Sequence, residues 1–249
     1  MALETYNAVI PIYIGWDTRE EAAYAVAVRS LIRHATCQLH IRRLDDRPLR
    51  FNKIYTRDWH SDGNQKFDNL DGKPFSTEFS FARFLVPAME MYQGWAMFVD
   101  CDFLFRADIA QLFSLRDPKY AVQVVKHRHV PDNTEKMDGQ IQSKYHRKNW
   151  SSMILWNCAH PSNKFLTVEQ VNNRPGQWLH SFAWLQDRDI GELPVEWNWL
   201  VGHSDQSVDP KAVHFTDGGP WFDEYRDVPY ASEWLDVLAE GRAEPGLIL

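Results

Sequence analysis

Two aspartates one residue apart, Asp100 and Asp102, directly follow the apolar run Ala96-Met97-Phe98-Val99. Carboxylates at the end of a buried strand are costly to desolvate unless something neutralises them. In open α/β sheets the ligand crevice lies outside the carboxyl ends of the strands. A divalent cation bridging to a diphosphate would satisfy both acids there, because magnesium- and manganese-type cations take carboxylate and phosphate oxygens together. The plainer alternative is a turn or helix-capping pair, with Asp108 as a solvated acid nearby. The spacing alone is common, and its place after Met-Phe-Val is what gives it weight.

Two further groups could join this chemistry. His214 lies in Ala212-Val-His-Phe-Thr-Asp-Gly-Gly-Pro-Trp221. A histidine at a strand end can supply a nitrogen ligand, and the pair Gly218-Gly219 would let the backbone approach a phosphate. Arg83, in Phe79-Ser-Phe-Ala-Arg-Phe84, sits among apolar residues. A buried arginine needs an anionic partner. Glu78, Glu90 or a donor phosphate would each serve.

These side chains need a scaffold, and the sequence reads as an α/β chain. Ala8 to Gly15 is a short apolar strand closing on glycine. Asp17 and Glu20 form a capping-box pair for a helix running to about Arg33. Leu39 to Leu44 is a second strand, so the order begins strand, helix, strand, as in a wound sheet. The polar stretch from Thr56 to Lys73 is expected to be a loop, and Thr77 to Met91 a helix. Strands follow over 96–99, 120–125 and 152–156, with a long loop over a cleft between residues 127 and 150. Helices over 165–171 and 177–185, strands over 195–200 and 211–215, and a closing helix over 231–240 complete the pattern. No repeat or linker divides the 249 residues. One domain over 1–249 is the simplest account, with 1–125 as the more regular α/β half and 126–249 as a more irregular half richer in aromatics.

Composition narrows the function classes. A net charge of −7 argues against wrapping a nucleic acid or adsorbing broadly to an anionic membrane. No run of about 18 apolar residues would span a bilayer, and Met1-Ala2-Leu3-Glu4 does not look like a signal peptide. A cytoplasmic location is expected. Three cysteines, Cys37, Cys101 and Cys158, match no zinc spacing. Eleven tryptophans, most of them after Trp150, suit either a core or a carbohydrate-handling cleft.

Taken in order, these segments resemble glycosyltransferase family 8 and its relatives of the GT-A fold. The resemblance rests on Ile14-Gly-Trp-Asp17, Phe81-Ala-Arg-Phe84, Phe98-Val-Asp-Cys-Asp102, Ser152-Met-Ile-Leu-Trp-Asn157, Leu185-Gln-Asp-Arg-Asp-Ile190 and His214-Phe-Thr-Asp-Gly-Gly-Pro-Trp221. It implies a Rossmann-like domain with a mixed, mostly parallel central sheet flanked by helices. It further implies transfer of a sugar, with retention, from a nucleotide-diphosphate sugar such as a UDP-sugar to a hydroxyl of a glycan or glycolipid.

By the same resemblance, Asp100, Asp102 and His214 would bind Mn2+ or Mg2+. Gly15, Trp16, Asp17, Arg19, Arg83, Cys101, Asn157, Gly218 and Gly219 would line the donor site. Asp187 would meet the sugar hydroxyls or act as nucleophile, with Arg188 beside it. One departure stands out. The lysine usual before Pro-Trp, which neutralises the departing diphosphate, is Gly219 here, leaving Arg19, Lys126 and Arg188 as replacements by position. A non-catalytic carbohydrate- or nucleotide-binding module and a nucleotidyltransferase are the competing readings.

Overall fold

A computed structural model describes residues 9–127, 135–136, 140–141 and 147–243. Most of the loop expected over 127–150, and the end of the acidic tail, lie outside the described residues.

The expected opening is present as β1 (Ile10–Gly15), α1 (Glu21–His34) and β2 (Leu39–Leu44). The capping box is not. Glu20 stands at the α1 N-cap without a side-chain cap bond, and Asp17 turns to other partners. A short α2 (Asp46–Phe51) leads into β3 (Trp59–Asp62), β4 (Gln65–Asp68) and β5 (Pro74–Phe75), a small antiparallel sheet whose first two strands fall within the stretch expected to be loop. Its two-residue turn places Gly63 at φ 56°, where glycine is favoured.

Between residues 77 and 91, only α3 (Val86–Met89) is α-helical, after a 3-10 turn over Ala82–Leu85. The expected longer helix fails because its aromatic residues face different partners. Phe79 packs on Phe98, Phe81 on Phe75, and Phe84 on Phe182. Positive φ at Met91 and Tyr92 then ends it.

The chain continues through β6 (Trp95–Val99), β7 (Phe103–Phe105), α4 (Ile109–Phe113), β8 (Val122–Val124), and the two-residue strands β9 (Glu135–Lys136) and β10 (Gln140–Ile141). Next come β11 (Met153–Asn157), α5 (Val168–Asn173), α6 (Gly176–His180), β12 (Ile190–Glu192), β13 (Trp199–Leu200), β14 (Ala212–His214) and α7 (Ala231–Ala243).

The central sheet has the order β12-β8-β11-β6-β1-β2. Five strands run one way and β11 runs against both neighbours. Covered on both faces, β1 and β6 need the unbroken apolar runs seen in the sequence. A second sheet, β13-β14-β7, stands beside it. The chain passes from one sheet to the other between β6 and β7, and that passage is Asp100-Cys101-Asp102. The tryptophans mostly serve as core. Trp156, Trp197 and Trp234 are fully buried, and Trp156, Trp178 and Trp184 pack together. Among the described residues no helix is long and apolar enough to cross a membrane.

Candidate metal and donor site

The passage between the sheets fixes both aspartates by their backbones. The Asp100 N–H donates to the Ser152 carbonyl at 2.8 Å, and the Phe215 N–H donates to the Asp102 carbonyl at 3.0 Å. The intervening Cys101 is buried, and its thiol donates to Glu20 at 3.4 Å. In β14, His214 lies opposite Phe103, the residue after Asp102. Its ring stacks on Phe103 with centroids 4.4 Å apart. Its Nδ1 faces Asn198 Oδ1 at 2.9 Å, and its Nε2 lies 3.3 Å from Asp102 Oδ2.

Asp100, Asp102 and His214 thus offer one ligand atom each within 4.8 Å of one another. Ligands about 2.1 Å from a common ion stand up to about 4.2 Å apart, a spacing of the same order as this one. Two carboxylates and an imidazole suit manganese or magnesium. The residues present therefore fit a divalent cation.

Arg83 sits beside this set. Its guanidinium pairs with Asp100 at 2.7 Å and donates to the carbonyls of Ser80 and Ser151. The acids considered as partners are engaged elsewhere, Glu90 with Arg42 and Glu78 with Thr18. Behind the aspartates, Glu20 is almost fully buried. Burial, then the charges of Asp102 and Asp17, push its carboxyl up to about 8. Burial likewise raises the Cys101 thiol well above its usual range.

A cleft opens from Arg83, Asp100 and His214. Phe75 and Phe81 line it, with Ser151 and His180 on the wall and Asp71 and Lys73 on the β4–β5 side. His180 meets Ser151 Oγ at 2.8 Å. Burial, then the charges of Arg83, Lys148 and Arg57, hold its ring well below the usual histidine value, so it is neutral. No tryptophan is among the described lining residues.

The other sequence-derived positions are placed as follows. Gly15 is buried, and a Cβ there would collide with the Phe79 ring. Trp16 is covered by Arg43 and Arg47 at 4.9 and 4.5 Å. Asp17 is inaccessible, accepting from Arg19, from Lys66 at 3.3 Å and from the Glu78 N–H at 3.0 Å. Burial alone would raise its carboxyl, but the Arg19 hydrogen bond and the Lys66 and Arg19 charges hold it below the ordinary value. Arg19 itself also donates to the Ser76 carbonyl.

Asn157 sits at the opposite end of the sheet. It pairs with Trp95 at the start of β6, and its amide donates to Pro118 and Tyr120. The metal cluster is at the other end, where Val99 meets Met153. The reversed direction of β11 accounts for this separation. Asp187 is 91% exposed and pairs with Arg147, and Arg188 is exposed. Neither lines the cleft, nor do Arg19 or Lys126, whose amine donates to the Ile190 carbonyl. Gly218, at φ 134°, lies under Tyr225, and a Cβ on Gly219 would strike the Trp221 ring. The glycine pair makes room for aromatic rings. Several residues of the site were not expected, among them Asn198, Ser152 and His180. Asn198 had a signal, being an amide between Trp197 and Trp199 in a buried stretch that would need partners.

No protein-family profile matches the chain. Among solved structures, it is similar to the apo form of the bifunctional glycosyltransferase WbbM, with a TM-score of 0.59 and 15% identity over 96% of this chain and 51% of that one. It is similar to the glycosyltransferase GlyE of Streptococcus pneumoniae TIGR4, with a TM-score of 0.56 and 12% identity over 95% of this chain and 64% of that one. The galactosyltransferase LgtC, solved with donor and acceptor sugar analogs, gives a TM-score of 0.51 and 14% identity over 94% and 99%. The chain spans about half the length of WbbM and less than two thirds of GlyE. These likenesses establish a glycosyltransferase-type α/β fold with a mostly parallel central sheet. In sequence, the chain is 46% identical over 238 residues to Protein CDI of Arabidopsis thaliana, covering 94% of this chain and 87% of that protein. At that level of identity and coverage, the chain belongs to the family of Protein CDI.

Proposed function

We propose that the protein is a metal-dependent glycosyltransferase that moves a sugar from a nucleotide-diphosphate sugar, of UDP type, to a hydroxyl of a glycan or glycolipid with retention. The observation that carries this reading is the convergence of Asp100, Asp102 and His214 beside a cleft at the carboxyl edge of a glycosyltransferase-type sheet. Held there, Mn2+ or Mg2+ supplies Lewis-acid stabilisation of charge on the departing diphosphate. Arg83, fixed by two backbone carbonyls, holds Asp100 in place and adds positive charge on the cleft wall. Phe75 and Phe81, with the neutral polar groups of Ser151, Asn149, Gln177 and His180, suit the C–H faces and hydroxyls of a sugar.

Same-face attack, with the leaving phosphate accepting the acceptor's proton, needs no enzyme nucleophile. Asp187, the acid expected to orient or attack the sugar, is exposed beside Arg147 and does not line the cleft, so this route assigns it no step.

A second reading has one observation in its favour. Asp17, expected to hold the base, has its oxygens engaged within the protein, as a non-catalytic binding module would allow. A mass-spectrometric screen of nucleotide sugars with Mn2+ separates the readings. Metal-dependent release of the nucleoside diphosphate, lost in Asp100→Ala/Asp102→Ala, is expected. Metal-dependent binding without turnover selects the module. Pyrophosphate release from a nucleoside triphosphate selects a nucleotidyltransferase.

A further inference from the structure

Ser152 precedes β11, Asn198 precedes β13 and His214 ends β14. They are far apart in sequence, yet their side chains form one ordered line of hydrogen bonds. The Ser152 hydroxyl donates to the Asn149 carbonyl at 2.7 Å. Its single proton is thereby committed, so its oxygen accepts from Asn198 Nδ2 at 2.9 Å. That contact settles which way round the amide lies. Asn198 Oδ1 is turned to His214 Nδ1, 2.9 Å away. A carbonyl oxygen only accepts, so Nδ1 carries a hydrogen, and in the neutral ring Nε2 is then left with the lone pair.

The line is sealed from water, with Asn198 at 0%, His214 at 1% and Ser152 at 4% exposure. At its far end, Nε2 lies 3.3 Å from Asp102 Oδ2. Nε2 makes no hydrogen bond across that distance, Asn198 is the acceptor at Nδ1, and a neutral ring has one hydrogen to give. If Asp102 received it, the carboxylate and the imidazole would be paired off against each other, and neither would be ready to bind a cation.

We infer that Asn198, oriented by Ser152, is a positioning residue that sets His214 in its Nδ1–H form and so preforms Nε2 as a metal ligand. The inference rests on the metal reading of Asp100, Asp102 and His214. It concerns the metal-free protein, however, so it can be tested apart from that reading. Stacking on Phe103 fixes the plane of the ring, and Asn198 fixes which nitrogen is bare. Partners of this kind, on the far nitrogen of a metal-ligating histidine, set ring orientation and ligand strength.

Long-range proton–nitrogen NMR of the metal-free, 15N-histidine-labelled protein reads the form directly. Wild type is expected to show His214 protonated at Nδ1. Asn198→Ala is expected to move the hydrogen to Nε2, where Asp102 accepts it. Ser152→Ala, which touches neither ring nor cation, should move part of it by letting the amide turn over. Mn2+ binding, followed by electron paramagnetic resonance, should weaken roughly 10- to 100-fold in Asn198→Ala. It should be largely retained in Asn198→Asp, which keeps an acceptor for Nδ1–H. A wild-type His214 protonated at Nε2 overturns the inference whatever the variants do, and so does an Asn198→Ala protein that keeps Nδ1–H. If the NMR pattern holds but no variant nor wild type binds Mn2+, the metal reading fails and the positioning of the ring stands.

Discussion

Arg83 and Asp100 form a 2.7 Å ion pair at the edge of the cleft, and the arginine is tied on either side to the carbonyls of Ser80 and Ser151. The guanidinium is therefore a fixed part of the wall. It offsets one of the two aspartates before any cation is present, in a place where Glu20 and Asp17 add further acid behind them.

Removing that charge should expose the crowding. Arg83→Ala leaves Asp100 close to Asp102 with no fixed cation between the sheets. Breaking a buried pair by deleting one partner costs about 3–5 kcal/mol, and urea denaturation of the metal-free variant should show a loss near the lower end, about 3 kcal/mol. Saturating Mn2+ should recover part of it. Arg83→Lys should recover less than wild type, because an ammonium cannot hold two carbonyls and a carboxylate in one plane. A metal-free Arg83→Ala protein as stable as wild type would sink this account.

Asp102→Asn tests the cation more cleanly than any change at Asp100, since it leaves the Arg83 pair in place. A ligand at one hundred times its dissociation constant stabilises a folded protein by about 2.7 kcal/mol. Wild type should show that gain with Mn2+, and the variant should lose most of it at the same concentration while its metal-free stability changes little. An equal Mn2+ gain in both proteins would remove Asp102 from the ligand set.

Some of this was legible in the sequence for definite reasons. Buried parallel strands must be nearly all apolar, so β1 and β6 stood out, and the acids after Val99 marked the edge where the candidate site lies. The small sheet β3–β5 did not stand out, because its residues from Trp59 to Asp68 are mostly polar and its stability comes from elsewhere. Arg57, buried against Asp68, also donates to the Val171 and Arg174 carbonyls. The aromatic run at Phe79–Phe84 has the composition of a helix face, but its rings pack in three directions. Asn157 shows a different limit. Its strand was read correctly, but strand direction is a property of the sheet, and the reversal of β11 carries Asn157 away from the cluster.

Gly219 illustrates how packing can exclude a functional residue. A side chain there would meet the Trp221 ring, which packs in turn on Phe215 and Trp234. Gly219→Lys should therefore destabilise the protein by about 1–3 kcal/mol, the usual range for overpacking, and should not improve nucleoside-diphosphate binding. Thermal unfolding and calorimetric titration with a nucleoside diphosphate and Mn2+ check both parts. Unchanged stability together with tighter binding would mean that the turn can open to admit a lysine.

Asp17 should govern stability in acid. Its carboxyl lies below the ordinary 3.8 because Arg19 and Lys66 outweigh the burial that would raise it. A depressed folded value means that the unfolded chain binds the proton first as pH falls. The contribution is therefore fully present above about 3.8, the unfolded value, and is lost as pH drops through the lower folded value. Glu20 acts in another window and with the opposite sign. Raised from 4.5 to about 8, it takes stability away as pH rises between those values in the metal-free protein. Asp17→Asn should be less stable than wild type at neutral pH by about 3 kcal/mol, because Lys66 and Arg19 lose their buried partner. Its stability should also be flatter with pH below about 3.8. Urea midpoints measured across the acid range decide between two roles. If Asp17 mainly contacts a nucleotide base, the variant would lose nucleotide affinity and keep the wild-type acid profile. If it anchors the wall, as its contacts with Arg19, Lys66 and Glu78 argue, the acid profile changes even with no nucleotide present.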